Sequence, residues 1–192
     1  MRKECPISTA LKAGIVTLVL FLCQIGDKNH AYAQTDTLES LFAQLLEGNE
    51  QDAARVEEKI WTEWRKSGSD SVDFLLERGM AAMDLGRLGE AVEHFTAVID
   101  HAPEFAEGWN MRATAFYLMG EFGLSVADIE HTLRLNPRHF GAMGGLGLIL
   151  EESFRPEEAL AVYKDVVKLH PKSAVANDGI ARITLELQGT PL

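Results

Sequence analysis

The chain has 192 residues, 46% of them hydrophobic and 24% charged, a balance that supports one ordinary domain with a real core and argues against disorder. Its formal charge of −11, with no stripe of Lys and Arg, argues against nucleic acid as a partner, because phosphate recognition needs a clustered basic surface. An acidic balance favours basic or neutral partners without choosing among them.

The first 33 residues differ from the rest. Arg2, Lys3 and Lys12 precede an apolar run from Ala13 to Ile25, and the small-residue motif Ala31-Tyr32-Ala33 follows a polar patch. That order matches a cleavable secretory signal, and the run is shorter than the ~20 residues of a membrane-spanning helix. Residues 1–33 are therefore expected to be a signal peptide cut after Ala33, leaving a periplasmic or secreted protein with no membrane span. The alternative is an uncleaved anchor. Cleavage would remove Cys5 and Cys23, and with them any disulfide, thiolate metal site or cysteine nucleophile.

Leu38, Leu41, Phe42, Leu45 and Leu46 follow helical spacing, as do Ile60, Trp61 and Trp64, and predict helices over 37–47 and 51–66. Further helices are expected over 72–85, 88–100, 106–119, 122–134, 140–152, 157–169 and 174–188. Nothing alternates in the manner of a strand.

A longer rhythm organises these elements. Pro103, Pro137 and Pro171 stand 34 residues apart, and the same step relates Gly79 to Ala113 and Gly147, and Ala91 to Ser125 and Ala159. Small residues at those places let paired helices approach, while Phe95, Phe116 and Tyr163 are expected to fill the space between units. The prolines fall where a missing N–H is harmless. Gly86 and Gly120 end the first helix of their units in a left-handed turn, whereas Phe154 stands at that place in the third, where a differently shaped turn is expected.

With Trp109, Ala113 and Phe116, then Ser125, Ile129 and Pro137, the middle unit resembles the tetratricopeptide repeat, whose pattern has W, G and Y in a first helix, A and F in a second, and P at the close. The resemblance implies an all-α fold: an α-α superhelix, or solenoid, of antiparallel helix pairs with a C-terminal capping helix. Its parts would be a degenerate N-terminal pair over 34–71, repeats over 72–105, 106–139 and 140–173, and a cap and tail over 174–192. In the N-terminal pair the small-residue place holds Glu57 and the closing proline is missing.

The resemblance also implies a concave groove lined by first helices, with Asp73, Leu76, Met80 and Met83 in the first unit. Glu107, Asn110, Thr114 and Tyr117 would follow in the second, Gly141, Gly144, Leu148 and Glu151 in the third, and Asp178 and Arg182 in the cap. One subset of the family clamps a peptide's C-terminal carboxylate with Lys, Arg and Asn; only Asn110 matches here. Methionine and aromatic groups beside acids suit instead a protein or peptide segment with apolar anchors and basic flanks.

No constellation for catalysis, cofactor or metal stands out. The run Gly141–Gly147 lacks the strand, lysine and serine or threonine of a phosphate loop, and packing or room for a ligand explains its glycines better. Ser125 lies in the repeat's small-residue place, not on a hydrolase elbow. His94, His101, His131, His139 and His170 are expected at the surface or in turns, and Glu151-Glu152 and Glu157-Glu158 as solvated charges. The sequence thus points to a non-catalytic interaction module, or scaffold, of the cell envelope. A self-associating structural protein and, further off, a small hydrolase or metal carrier stay open.

Overall fold

The computed structural model describes residues 37–189. They fall into two units, 37–40 and 41–189, of which the first is helical. The expected signal, its cleavage point and both cysteines lie outside the described residues.

The second unit opens with helical residues 41–47 (α1), followed by α2 (Glu50–Trp64), α3 (Asp70–Asp84), α4 (Leu88–His101), α5 (Ala106–Leu118), α6 (Phe122–Leu135), α7 (Phe140–Glu152), α8 (Pro156–Leu169) and α9 (Ala174–Leu187). From α2 onward every bound falls within two residues of its expected place, and no strand occurs among the described residues. Pairs α3–α4, α5–α6 and α7–α8 stack in order, with α9 closing on α8. First helices also approach one another (α3 to α5, α5 to α7, α7 to α9), whereas second helices do not. The array is therefore a superhelical solenoid that bends with its first helices inside.

The 34-residue rhythm becomes physical inside each pair. Gly79 on α3 faces Phe95 on α4 so closely that a Cβ there would sit 2.4 Å from the ring. Gly147 and Tyr163 repeat the arrangement at 2.3 Å. In the middle pair a methyl and a smaller partner share the same space: Ala113 and Ile129 lie in one buried cluster with Ala142 and Ile149. Ser125 Oγ donates 2.8 Å to the Ala113 carbonyl, satisfying a hydroxyl that is otherwise sealed in. Gly79, Ala113 and Gly147 thus occupy equivalent environments.

The turns inside the pairs share one design. Gly86 N–H donates to Met83 O and Arg87 N–H to Ala82 O, closing the end of α3. Gly120 and Glu121 do the same for α5, and Phe154 and Arg155 for α7. The third turn was expected to differ, and it does not: Phe154 takes the left-handed backbone itself, at φ 56° against 71° and 77° for the glycines. Two flanking hydrogen bonds hold it there. Its ring is 92% exposed, so no packing offsets the strain of a Cβ in that region. Phe154→Gly is expected to raise stability by about 1 kcal/mol, read in urea denaturation.

Trp109, expected among the bulky groups of the middle unit, is only half-buried. It stacks on His131 at 4.0 Å and donates through Nε1 to the Pro103 carbonyl at 2.8 Å.

The N-terminal pair does not continue the stack. α2 makes no extended backbone approach to α3 or to any later helix. Instead its long side chains reach the start of α7 and the end of α8. Trp64 stacks on His139 at 4.2 Å, and Trp61 meets Phe140 edge-on at 5.4 Å. Phe42 of α1 joins the cluster, 6.3 Å from Phe140, under the Arg138 guanidinium. Asn49 caps α2 by accepting from Asp52 N–H.

Candidate functional site

A cavity of about 320 Å³ opens between α2, α5, α7 and the start of α9. On α5, Asn110, Thr114 and Tyr117 share one face by the i, i+4, i+7 rule and point into it. On α7, Gly141, Gly144, Gly145 and Leu148 form the floor. Bare backbone faces the space there: the nearest atom to a Cβ on Gly144 would be Val175, at 3.7 Å. Glu57 and Trp61, four residues apart on α2, close the opposite wall.

Trp61 seats where it does because position 141 is glycine. A Cβ at that place would lie 2.3 Å from the indole. Glu57 is held by two donors, Trp61 Nε1 at 3.2 Å and His170 Nε2 at 3.0 Å. The His170 hydrogen bond keeps the Glu57 carboxyl below the usual range, more than offsetting partial burial.

Beneath the cavity lies a buried polar chain. His139 Nδ1 accepts from Ala142 N–H at 3.1 Å, capping α7, so its other nitrogen carries the proton and donates to Glu107 at 3.0 Å. The same Glu107 oxygen accepts from Asn110 Nδ2 at 3.2 Å. This arrangement fixes the Asn110 amide and ties α5 to the start of α7.

At the far end, Glu151 accepts from Tyr163 at 2.7 Å and takes both arms of Arg182, at 2.8 and 3.0 Å. Partial burial alone would raise the Glu151 pKa; the Arg182 and Tyr163 hydrogen bonds win and lower it. Tyr117 donates to Glu152, and that bond lifts its hydroxyl to about 12.

The residues expected to line a groove therefore divide. Asn110, Thr114, Tyr117, Gly141, Gly144 and Leu148 meet around one cavity. Glu107 is sealed beneath it, and Glu151 and Arg182 pair with each other beyond it. Asp178 is exposed one turn before Arg182. The α3 set does not reach the cavity: Leu76 is core, Met80 and Met83 pack against that core, and Asp73 accepts from Ser67 N–H and Oγ in the preceding loop.

His139 and His170 stand in the links between helices, one of the two expected places, but are buried there against the aromatic cluster. Glu151 is not a free solvated charge. Glu57 and Trp61 were absent from the expected groove; the signal for them was a carboxylate standing where a stacking repeat needs a small residue. Among the described residues no group of three His, Cys, Asp or Glu is placed to hold a metal, and no helix is long and apolar enough to cross a membrane.

Against known proteins, the tetratricopeptide repeat family profile matches residues 76–125 and 110–174. A TPR repeat-containing protein of Rhizobium etli is 30% identical over 166 residues, 86% of this chain and 81% of that one. Among solved structures, the first TPR of Spaghetti (RPAP3), bound to the HSP90 peptide SRMEEVD, aligns with a TM-score of 0.59 at 24% identity. The alignment covers 62% of this chain and 94% of that one. The Sgt2 TPR domain from Aspergillus fumigatus gives 0.59 at 20% identity, over 65% and 87%. At these identities the solved structures share the fold.

Proposed function

From the premise that this chain belongs to the tetratricopeptide repeat family, we propose that it is a non-catalytic adaptor of the cell envelope that holds a protein segment in its groove. The observation that carries this reading is the cavity on the inner side of the array, floored by glycine backbone and walled by apolar groups. A side chain of a partner can enter such a space and lose its contact with water, which is what anchors a short segment. Asn110, Thr114 and Tyr117 along one wall offer polar groups to that segment's backbone. In this reading the apolar N-terminal stretch directs export, and the working protein begins at Gln34.

The peptide on the Spaghetti domain ends in Glu-Glu-Val-Asp. Among the described residues no lysine or arginine lines the cavity to receive such a tail, so the segment we propose has apolar anchors and basic rather than acidic flanks.

Gly144→Leu tests the site, because its Cβ has room and its branches would fill the cavity. Protein recovered from the cell envelope, expected to start at Gln34, would be presented with a phage-displayed random heptapeptide library. The unaltered protein is expected to enrich peptides with an apolar residue, and Gly144→Leu to bind them at least tenfold more weakly. Equal binding by both would remove the cavity as the site.

A further inference from the structure

We propose that α2, not the repeats, sets the charge preference of the groove: the Glu57 carboxylate receives a lysine or arginine side chain of the bound segment, while an adjacent apolar side chain of that segment fills the cavity. The inference rests on the groove reading above and adds to it the residue that reads charge.

Four observations lead there. Among the described residues lining the cavity, Glu57 carries the one carboxylate, and it comes from outside the repeats. No lysine or arginine shares that lining to neutralise it. Its side chain is 36% exposed, so it is held by the protein without being sealed from solvent. Trp61 and His170 each supply one donor, and a carboxylate can accept about four hydrogen bonds, leaving capacity for an incoming ammonium or guanidinium.

The setting favours such a contact. A charge-assisted hydrogen bond beside an apolar wall is less screened than one in open water. Glu57 is already oriented by its two donors, so little side-chain freedom remains to be lost when a cation arrives. The Trp61 ring beside it offers the aliphatic stem of a lysine or arginine an apolar surface. All of this depends on α2 being seated, which Gly141 permits.

Glu57→Gln removes the charge and keeps a carbonyl acceptor for His170. The heptapeptide library would be selected separately on the unaltered protein and on Glu57→Gln. The unaltered protein is expected to enrich an apolar residue next to lysine or arginine. Glu57→Gln is expected to enrich the same apolar residue, with lysine and arginine falling to library background. A basic preference that survives in Glu57→Gln overturns the proposal, as does enrichment of apolar residues without basic neighbours by the unaltered protein.

Tryptophan fluorescence in a Trp109→Phe background, where only Trp61 and Trp64 of α2 remain, reports whether α2 stays seated in the variant. A measurement needing no variant stands beside it: in a selected peptide, lysine would be replaced by norleucine. A loss of about tenfold in affinity supports the proposal, and an unchanged affinity overturns it. If no peptide is enriched by the unaltered protein, the groove reading itself fails and this one falls with it.

Discussion

Tyr163→Ala is expected to cost about 3–5 kcal/mol of folding free energy. The Tyr163 ring is fully buried and lies between two glycines on different helices. A Cβ on Gly147 of α7 or on Gly179 of α9 would sit 2.3 Å from it, so the ring occupies the space both side chains would have taken. Removing it leaves a hole bounded by backbone on two sides, and backbone held in helices cannot collapse to fill it. Tyr163→Phe separates packing from polarity: it keeps the ring and loses only the hydrogen bond to Glu151, for about 1 kcal/mol. Urea denaturation of both variants makes the comparison. An alanine variant that loses less than 1 kcal/mol would mean that the ring is not the wedge between α7 and α9.

The second large effect is expected at Arg112. Its guanidinium gives two hydrogen bonds to Asp128, at 2.7 and 2.9 Å, and a third to Thr96 Oγ1 at 3.1 Å, linking α4, α5 and α6. The Asp128 side chain is only 6% exposed. Arg112→Met keeps much of the aliphatic stem but removes the guanidinium that lies over Trp109 and Phe116 and strands the carboxylate, for about 3–5 kcal/mol. The double variant Arg112→Met, Asp128→Leu is expected to recover most of that loss, since the stranded charge causes it. Equal losses in the single and double variants, measured as a double-mutant cycle, would place the effect in packing instead.

Much of the fold was legible because its causes are local and periodic. Gly79 and Phe95, or Gly147 and Tyr163, are separated by a fixed number of residues, so a sequence pattern records their contact directly. Proline and glycine mark the helix ends for equally local reasons. The position of α2 was not legible in this way. Ile60, Trp61 and Trp64 announce an apolar face, but nothing in their spacing says that the face meets residues 139–141, some eighty positions away. The four α3 residues of the groove set share that fate in reverse: Leu76 and Met80 have the right spacing on α3, yet the cavity lies further along the array. Phe154 shows a different limit. A glycine pattern interrupted by phenylalanine suggested a new turn, whereas two backbone hydrogen bonds sufficed to impose the old one.

The fit between glycine and aromatic ring in the outer pairs, and between alanine and isoleucine in the middle one, bears on how such a chain can be rearranged. Each of these three matches is made within a single pair, though Tyr163 also meets Gly179 of α9. A genetic crossover in the linker marked by Pro137 would pass those partners on together. One falling between the two helices of a pair could join Ala113 to Tyr163 or Gly147 to Ile129, a collision in one product and a void in the other. Whole pairs are therefore expected to exchange with less loss of packing than pieces cut at their internal turns.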